Sequence, residues 1–207
     1  MTRRVPMSPR KAPRQARSRA MVDAILDATA RVLVKDGYEG TTTNRVAALA
    51  GVSVGSLYQY FPNKESLVAG VIDRHCDEME ALFESKIAAL SNAPVPVAAR
   101  ELIQLLIECH ALNPKLHRVL MEQVPRVGKL ARMRAVRDQV AGFLRVYLEP
   151  RRRDLRPKNL DLAIFVVVTA IEALGHALSV EQARPVSADT IDEMTALVVR
   201  YLLPVPR

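Results

Sequence analysis

Residues Gly51 to Phe61 read GVSVGSLYQYF, a stretch in which five of eleven residues are Gly, Ser or Gln while two tyrosines stand two apart. Its periodicity is helical. At about 100° per residue, Val54, Leu57 and Phe61 fall in one narrow apolar arc, the side that packs inward. Gly55, Ser56 and Gln59 point the opposite way, and Tyr58 and Tyr60 come out on the two flanks of that polar strip. A lean polar crest with a phenol on each shoulder suits a DNA major groove. The crest reaches base edges while the shoulders meet phosphates on either wall. An amphipathic surface helix is the competing reading of these eleven residues alone.

The preceding residues, TTTNRVAALAG, favour the first reading. Thr42 or Thr43 can cap a helix start through its hydroxyl. Val46, Leu49 and Ala50 recur at helical spacing and give that helix an inner face, and Ala47 is small enough for a close crossing. Gly51 stands where a helix ends in the left-handed conformation, which glycine adopts without steric cost. Ser53 is a good N-cap for the next helix. Helix, short turn and helix make a helix-turn-helix, with residues 51–61 supplying its recognition helix.

The wider window, ILDATARVLVKDGYEGTTTNRVAALAGVSVGSLYQYFPNKESLV from Ile25 to Val68, resembles the DNA-binding domain of the TetR (tetracycline-repressor-like) transcriptional regulators. The resemblance rests on the apolar first helix, the Gly37–Tyr38 corner, the Thr-Thr opening of the second helix, Ala-Gly-Val-Ser, Gly-Ser-Leu-Tyr-x-Tyr-Phe, and Asn-Lys-Glu-x-Leu at the fourth helix. It implies that Thr42 and Thr43 contact the DNA backbone and that Asn44 occupies a place where some members reach a base. It implies base reading at Gly55, Ser56 and Gln59, phosphate contacts from Tyr58 and Tyr60, and a phosphate clamp at Lys64. The start of the fourth helix favours an anion there. With Gly55 and Ser56 on the crest few side chains can make bidentate base contacts, so much of the specificity falls to DNA shape.

The charge distribution agrees. The 207 residues carry 30 basic and 22 acidic groups, net +8, and seven of those eight charges lie in residues 1–20, which contain Arg3, Arg4, Arg10, Lys11, Arg14, Arg17, Arg19 and no acid. Pro6, Pro9 and Pro13 oppose a regular helix, so residues 1–18 are expected to form a basic disordered arm; contact with phosphate or minor groove is its favoured role, and a solvated tail that only aids solubility is the alternative. A helix-turn-helix domain over residues 19–66 and a helical ligand-binding and dimerisation domain over residues 67–207 complete an all-α architecture. No signal peptide fits the start. Cys76 and Cys109 lack framework spacing, and a reduced, cytoplasmic protein is expected. The pairs His75–Cys76 and Cys109–His110 are neighbours that diverge by about 100° on a helix and cannot share a metal. With no HExxH, phosphate-cradling loop or nucleophile elbow, neither catalysis nor a cofactor is expected.

Beyond residue 66 every apolar pattern is helical. Helix four should span about 63–90, followed by helices over ARELIQLLIECHAL and LHRVLMEQ, then one marked by Leu130 to Tyr147, and finally 158–180 and 188–203, with EPRRRDLRPKN as a charged loop. The segment Leu162 to Leu178 is apolar, yet at 17 residues with Glu172 and His176 it suits a buried soluble helix better than a membrane span. The family resemblance implies a homodimer through the last two helices, binding double-stranded DNA at an inverted-repeat operator. A single short recognition helix also reads too little sequence without a symmetric copy. It further implies a cavity within helices four to seven that takes an unknown small-molecule effector and relieves repression. Candidate lining residues are Cys109, His110, His117, Met121, Phe143, Tyr147, Phe165, Glu172 and His176. With four Phe, five Tyr and no Trp, a cage for planar cationic drugs is not expected. An activator or a ligand-independent regulator of the same fold is the alternative.

Overall fold

A computed structural model describes residues 16–124, 126–178 and 186–204. The described helices are α1 (Ala16–Gly40), α2 (Thr43–Ala50), α3 (Val54–Tyr60), α4 (Lys64–Leu90), α5 (Val95–Ala111), α6 (Pro114–Glu122), α7 (Arg126–Leu148), α8 (Leu160–His176) and α9 (Ala188–Leu202). There is no strand among the described residues. Arg3, Arg4, Arg10, Lys11 and Arg14 of the expected arm lie outside the described residues, whereas residues 16–18 are already helical. The segment Glu149–Asp154, expected as loop, winds into a short 3₁₀ turn in which Arg151 donates to Tyr147 O at 2.6 Å.

The chain forms two compact units. The first comprises residues 1–77 and 115–133, the second residues 78–114 and 134–207, so the expected boundary at 66/67 falls inside α4 and α6 belongs with the helix-turn-helix.

In the first unit local chemistry sets the helix ends. Thr42 Oγ1 accepts from Arg45 N at 3.3 Å and caps α2. Gly51 (φ 69, ψ 28) closes it in the left-handed region, where its N–H and that of Val52 reach the last carbonyls. Ser53 Oγ accepts from Ser56 N at 3.0 Å to open α3. Asn63 Oδ1 accepts from Ser66 N at 2.7 Å at the start of α4. Helix α1 is broken at Gly37, whose φ of 71 and ψ of −179 suit glycine alone.

The inner faces differ from expectation at two places. In α2, Val46 and Ala47 are buried, while Leu49 is 47% exposed on the flank. In α3, Leu57 is fully buried and Tyr60 joins it, but Val54 is 38% exposed. Val54 is the first helical residue, and a helical side chain leans toward the N-terminus, where no preceding turn lies beneath it. Phe61, fully buried, lies just past the helix in extended backbone.

The second unit packs α5 against α8 and α9 around a core that includes Ile103, Leu148, Ile164, Val168, Met194 and Val198. Asn159 and Ser187 cap α8 and α9 by accepting from Leu162 N and Thr190 N. No described helix is long and apolar enough to cross a membrane.

Candidate nucleic-acid interface and ligand cavity

The helix-turn-helix presents the expected polar surface, with its hydroxyls already engaged. Thr42, Asn44, Gly55 and Gln59 are exposed and Thr43 and Ser56 half-buried. Tyr58 is 42% exposed, and its hydroxyl lies 3.2 Å from Thr43 Oγ1, which joins the start of α2 to the recognition helix α3. Ser56 Oγ is 2.8 Å from Ser53 Oγ, so this hydroxyl is shared with the cap. Tyr60 is 8% exposed, and most of its ring is core rather than shoulder. A Cβ added at Gly55 would meet only Ser53 Oγ at 3.9 Å. Among the described residues nothing demands glycine there, and the crest is bare backbone with open space above it.

Lys64 opens α4 close to the Gly37–Tyr38 corner. Its ammonium donates to Tyr38 O at 3.2 Å, stands 4.1 Å from the centre of the Tyr38 ring, and lies 3.8 Å from the exposed Glu39 carboxylate. Thr41, buried, donates its hydroxyl to Gly37 O at 2.7 Å and its N–H to Tyr38 O. Burial pushes the Tyr38 phenol above its ordinary pKa, with Glu65 and Glu39 adding to the rise. Neither Tyr38 nor its other partner, Gln123, was among the candidate site residues. Their contacts run through the Tyr38 N–H and carbonyl, and backbone groups leave no trace in a sequence.

The second unit holds a partly open cavity of about 110 Å³ between its portions of α4, α5, α7, α8 and α9. Aliphatic residues such as Leu102, Val140, Leu144, Val168 and Val198 make most of its wall, with Phe83 and Tyr147 the aromatic members. Of the nine expected lining residues, Cys109, Tyr147 and Glu172 face this cavity. Glu172 pairs with Arg137 at 2.8 Å; desolvation raises its pKa, and the Arg137 charge and hydrogen bond oppose the rise. The Tyr147 hydroxyl donates to Ala93 O at 2.6 Å. Phe143 stacks on the Tyr147 ring and meets Phe83 edge-on. Burial pushes the Cys109 thiol up to about 11, with Glu108 adding to the rise, so it is no thiolate at neutral pH.

The other candidates lie elsewhere. His110 is buried, donates from Nδ1 to Leu106 O at 2.7 Å, and burial depresses its pKa. His117 and Met121 belong to the first unit, where the His117 ring nitrogen lies 3.0 Å from that of His75. His176 is half-buried, and Phe165 is 60% exposed. The missed part of the wall is the α4 group Met79, Glu80 and Phe83 together with the aliphatic residues of α5, α7, α8 and α9. Met79 and Phe83 sit in an apolar stripe, and a stripe alone cannot tell core from cavity.

A capped helix-turn-helix beside an all-helical unit with an apolar cavity defines a regulator that binds DNA. Residues 25–71 match the model described as bacterial regulatory proteins, tetR family, and residues 94–202 match that of the tetracyclin repressor-like C-terminal domain. The second match alone covers more than half of the chain, and the chain belongs to the tetracycline-repressor-like family of transcriptional regulators. Members of this family are non-enzymatic DNA-binding proteins, typically dimers that bind small-molecule effectors.

Among curated relatives, the chain is similar to the uncharacterised regulator YvkB of Bacillus subtilis, 38% identical over 60 residues that cover 29% of this chain and 32% of that protein. It is similar to the repressor KstR of Mycobacterium tuberculosis, 39% identical over 65 residues that cover 31% of this chain and 30% of the relative. The regulator RutR of Escherichia coli is 28% identical over 137 residues, 66% of this chain and 58% of its own length. The matched stretch thus spans about a third of the first two relatives. Solved structures share the fold. The fatty acid degradation regulator FadR of Bacillus halodurans superposes with a TM-score of 0.69 at 18% identity, covering 92% of this chain and 97% of its own. NalD of Pseudomonas aeruginosa gives 0.70 at 18% identity, covering 89% and 98%.

Proposed function

We propose that this regulator is a homodimeric repressor that holds an inverted-repeat operator and releases it when an apolar small molecule enters the cavity of the second unit. The cavity carries this reading. A partly open, nearly all-aliphatic space running into a domain is unusual, because unfilled apolar walls forfeit dispersion contacts and cores otherwise pack to near-crystalline density. A cavity kept at such a cost is a binding site by default. Its wall favours an aliphatic body over a flat polycyclic one, and Glu172 with Arg137 offers the polar anchor.

Dimerisation is supported by the outer surface of the last two helices. Leu162, Phe165, Val166 and Leu174 on α8 and Leu197 on α9 are exposed, and Leu162, Phe165 and Val166 share one face of α8. Exposed apolar patches mark association surfaces. Phosphate contacts fall to Thr42, Thr43, Tyr58 and Lys64, and base contacts to Asn44, Ser56 and Gln59, with Gly55 admitting the groove. Cytoplasmic action on DNA follows from that role.

The test begins by selecting bound fragments from random DNA. An inverted repeat with half-sites about one helical turn (roughly 34–36 Å) apart, or somewhat more, is expected. Fluorescence anisotropy on the selected operator then follows release as aliphatic compounds are titrated. Selection of a single asymmetric half-site bound by monomers refutes the dimeric reading. Tight binding in the cavity without operator release refutes the effector reading.

A further inference from the structure

We propose that Gln123 is a positioning residue for the nucleic-acid interface: its carboxamide fixes the Gly37–Tyr38 corner against which Lys64 is held. The argument starts from a broken backbone. Gly37, at φ 71 and ψ −179, turns the next peptide off the helical path, and the Tyr38 N–H is aimed at a side-chain acceptor. Backbone N–H groups away from bulk water need acceptors. Gln123 Oε1, 85 residues along the chain, accepts it at 3.1 Å. The fit is tight, since a Cβ at Gly37 would stand 2.6 Å from that oxygen.

Tyr38 then passes the constraint on. Its carbonyl accepts from Lys64 Nζ, and its ring lies beneath the same ammonium. One residue is therefore held at its N–H by Gln123 and itself holds the cation that opens α4. An ammonium has three donors, so the bond to Tyr38 O leaves two for a phosphate. The Glu39 carboxylate, 95% exposed, is the group that a phosphate would displace.

The acceptor sits on a firm base. Gln123 N donates to Val119 O at 3.0 Å, so the residue closes the last turn of α6. Leu116, Val119 and Leu120 bury the inner face of that helix, and His117 meets His75 of α4. Helix α6 follows the interface by more than fifty residues, yet it belongs to the same compact unit. Gln123 itself is exposed. Replacing it removes an acceptor and little packing.

This inference rests on the reading of Lys64 as a phosphate contact, and the experiment separates the two. Operator affinity is measured across a salt series for the parent, Lys64→Ala, Gln123→Met, Gln123→Glu and the double variant Lys64→Ala/Gln123→Met. Hydrogen exchange at the Tyr38 amide and thermal unfolding are followed in each. Lys64→Ala should flatten the plot of log affinity against log salt by about 0.9, one phosphate contact. Gln123→Met should speed Tyr38 amide exchange, weaken binding roughly threefold to tenfold, and flatten the same slope by part of that unit. Gln123→Glu keeps an acceptor and should restore amide protection and most of the affinity. In the Lys64→Ala background, Gln123→Met should change the salt slope no further. The inference is overturned if Gln123→Met matches the parent in slope and affinity while Lys64→Ala does not. It is also overturned if Gln123→Met weakens binding equally with and without Lys64, or if Gln123→Glu fails to rescue. An unchanged slope in Lys64→Ala would instead remove the phosphate reading of Lys64, and this inference with it.

Discussion

Replacing Gly37 with alanine should be among the most damaging methyl additions in this chain, and the structure says by how much. Two costs arise. The backbone at φ 71 and ψ −179 lies in a region essentially reserved for glycine, where an L-residue costs on the order of 1–3 kcal/mol. The new Cβ would also sit 2.6 Å from Gln123 Oε1, so the carboxamide must swing away and leave the Tyr38 N–H without its acceptor. Losing that bond adds about 1 kcal/mol, toward the lower end of the usual range because Gln123 is exposed. The total is about 2–4 kcal/mol. Gly51 is the internal control. Its φ of 69 and ψ of 28 are left-handed but ordinary, and a Cβ there meets nothing within 4 Å, so Gly51→Ala should cost only about 1 kcal/mol. Urea unfolding followed by helical circular dichroism, at one fixed protein concentration because association adds to apparent stability, measures both. The clash part can be isolated in a Gln123→Ala background, where Gly37→Ala should lose about 1 kcal/mol of its effect. A Gly37→Ala variant no less stable than Gly51→Ala, or one whose cost is untouched by Gln123→Ala, would refute the reasoning.

Gly55→Ala should leave the unfolding midpoint unchanged or slightly raised, since the added methyl meets only Ser53 Oγ at 3.9 Å and alanine is the better helix former by about 0.5–1 kcal/mol. Operator affinity should nonetheless fall, and unchanged binding in an anisotropy titration would show that no surface approaches this crest. Phe165→Glu, at a residue 60% exposed on α8, should shift sedimentation toward monomer while helical content stays constant; a dimer of parental stability would move the association surface elsewhere. A pH effect follows from Glu108, whose pKa is lowered by the hydrogen bond from Lys86, and also by Gln104, against the opposing effect of burial. A lowered folded-state pKa contributes stability that is complete above the ordinary value of 4.5 and is lost as pH falls through the lowered one. Glu108→Gln should therefore make the melting temperature fall less steeply below pH 4.5, and an identical pH profile would show that the Lys86–Glu108 pair contributes nothing measurable.

How much of this was legible beforehand depended on the range of each interaction. Helix ends could be read because a cap acts within three or four residues: Thr42, Ser53 and Ser187 each accept from the N–H three positions on. Gly51 could be read because a left-handed residue after a helix has a strong composition signal. Faces were read less well. Leu49 and Val54 fit apolar arcs, yet both are exposed, because an arc assumes neighbours that a two-turn helix does not supply. The candidate cavity residues stand out in the sequence by their chemistry. The wall is instead built mainly of leucine, isoleucine and valine, which carry no chemical mark to set them apart from core. Gln123 was invisible, because its partner is a backbone N–H far along the chain.

The interface has consequences for how sequence is read. Among the crest residues, Gly55 has no side chain and the Ser56 hydroxyl is shared with Ser53, which leaves Gln59 and Asn44 as the groups able to make bidentate contacts. Each such pair discriminates by about 1–3 kcal/mol, whereas specific regulators exceed non-specific binding by about 4–10 kcal/mol. Two such readers per protomer, doubled in the proposed dimer, would reach that range only if all four contacts form well. The remaining discrimination has to come from geometry: half-site spacing set by the dimer, and duplex shape tested by phosphate contacts held in fixed positions. That gives the internal bonds of the interface a role. Thr43 with Tyr58, and Lys64 with Tyr38, hold the groups proposed to face phosphate in place without DNA, so on that proposal little side-chain freedom is lost on binding. A rigid set of phosphate contacts reads shape, because a duplex that departs from its spacing forfeits several of them at once.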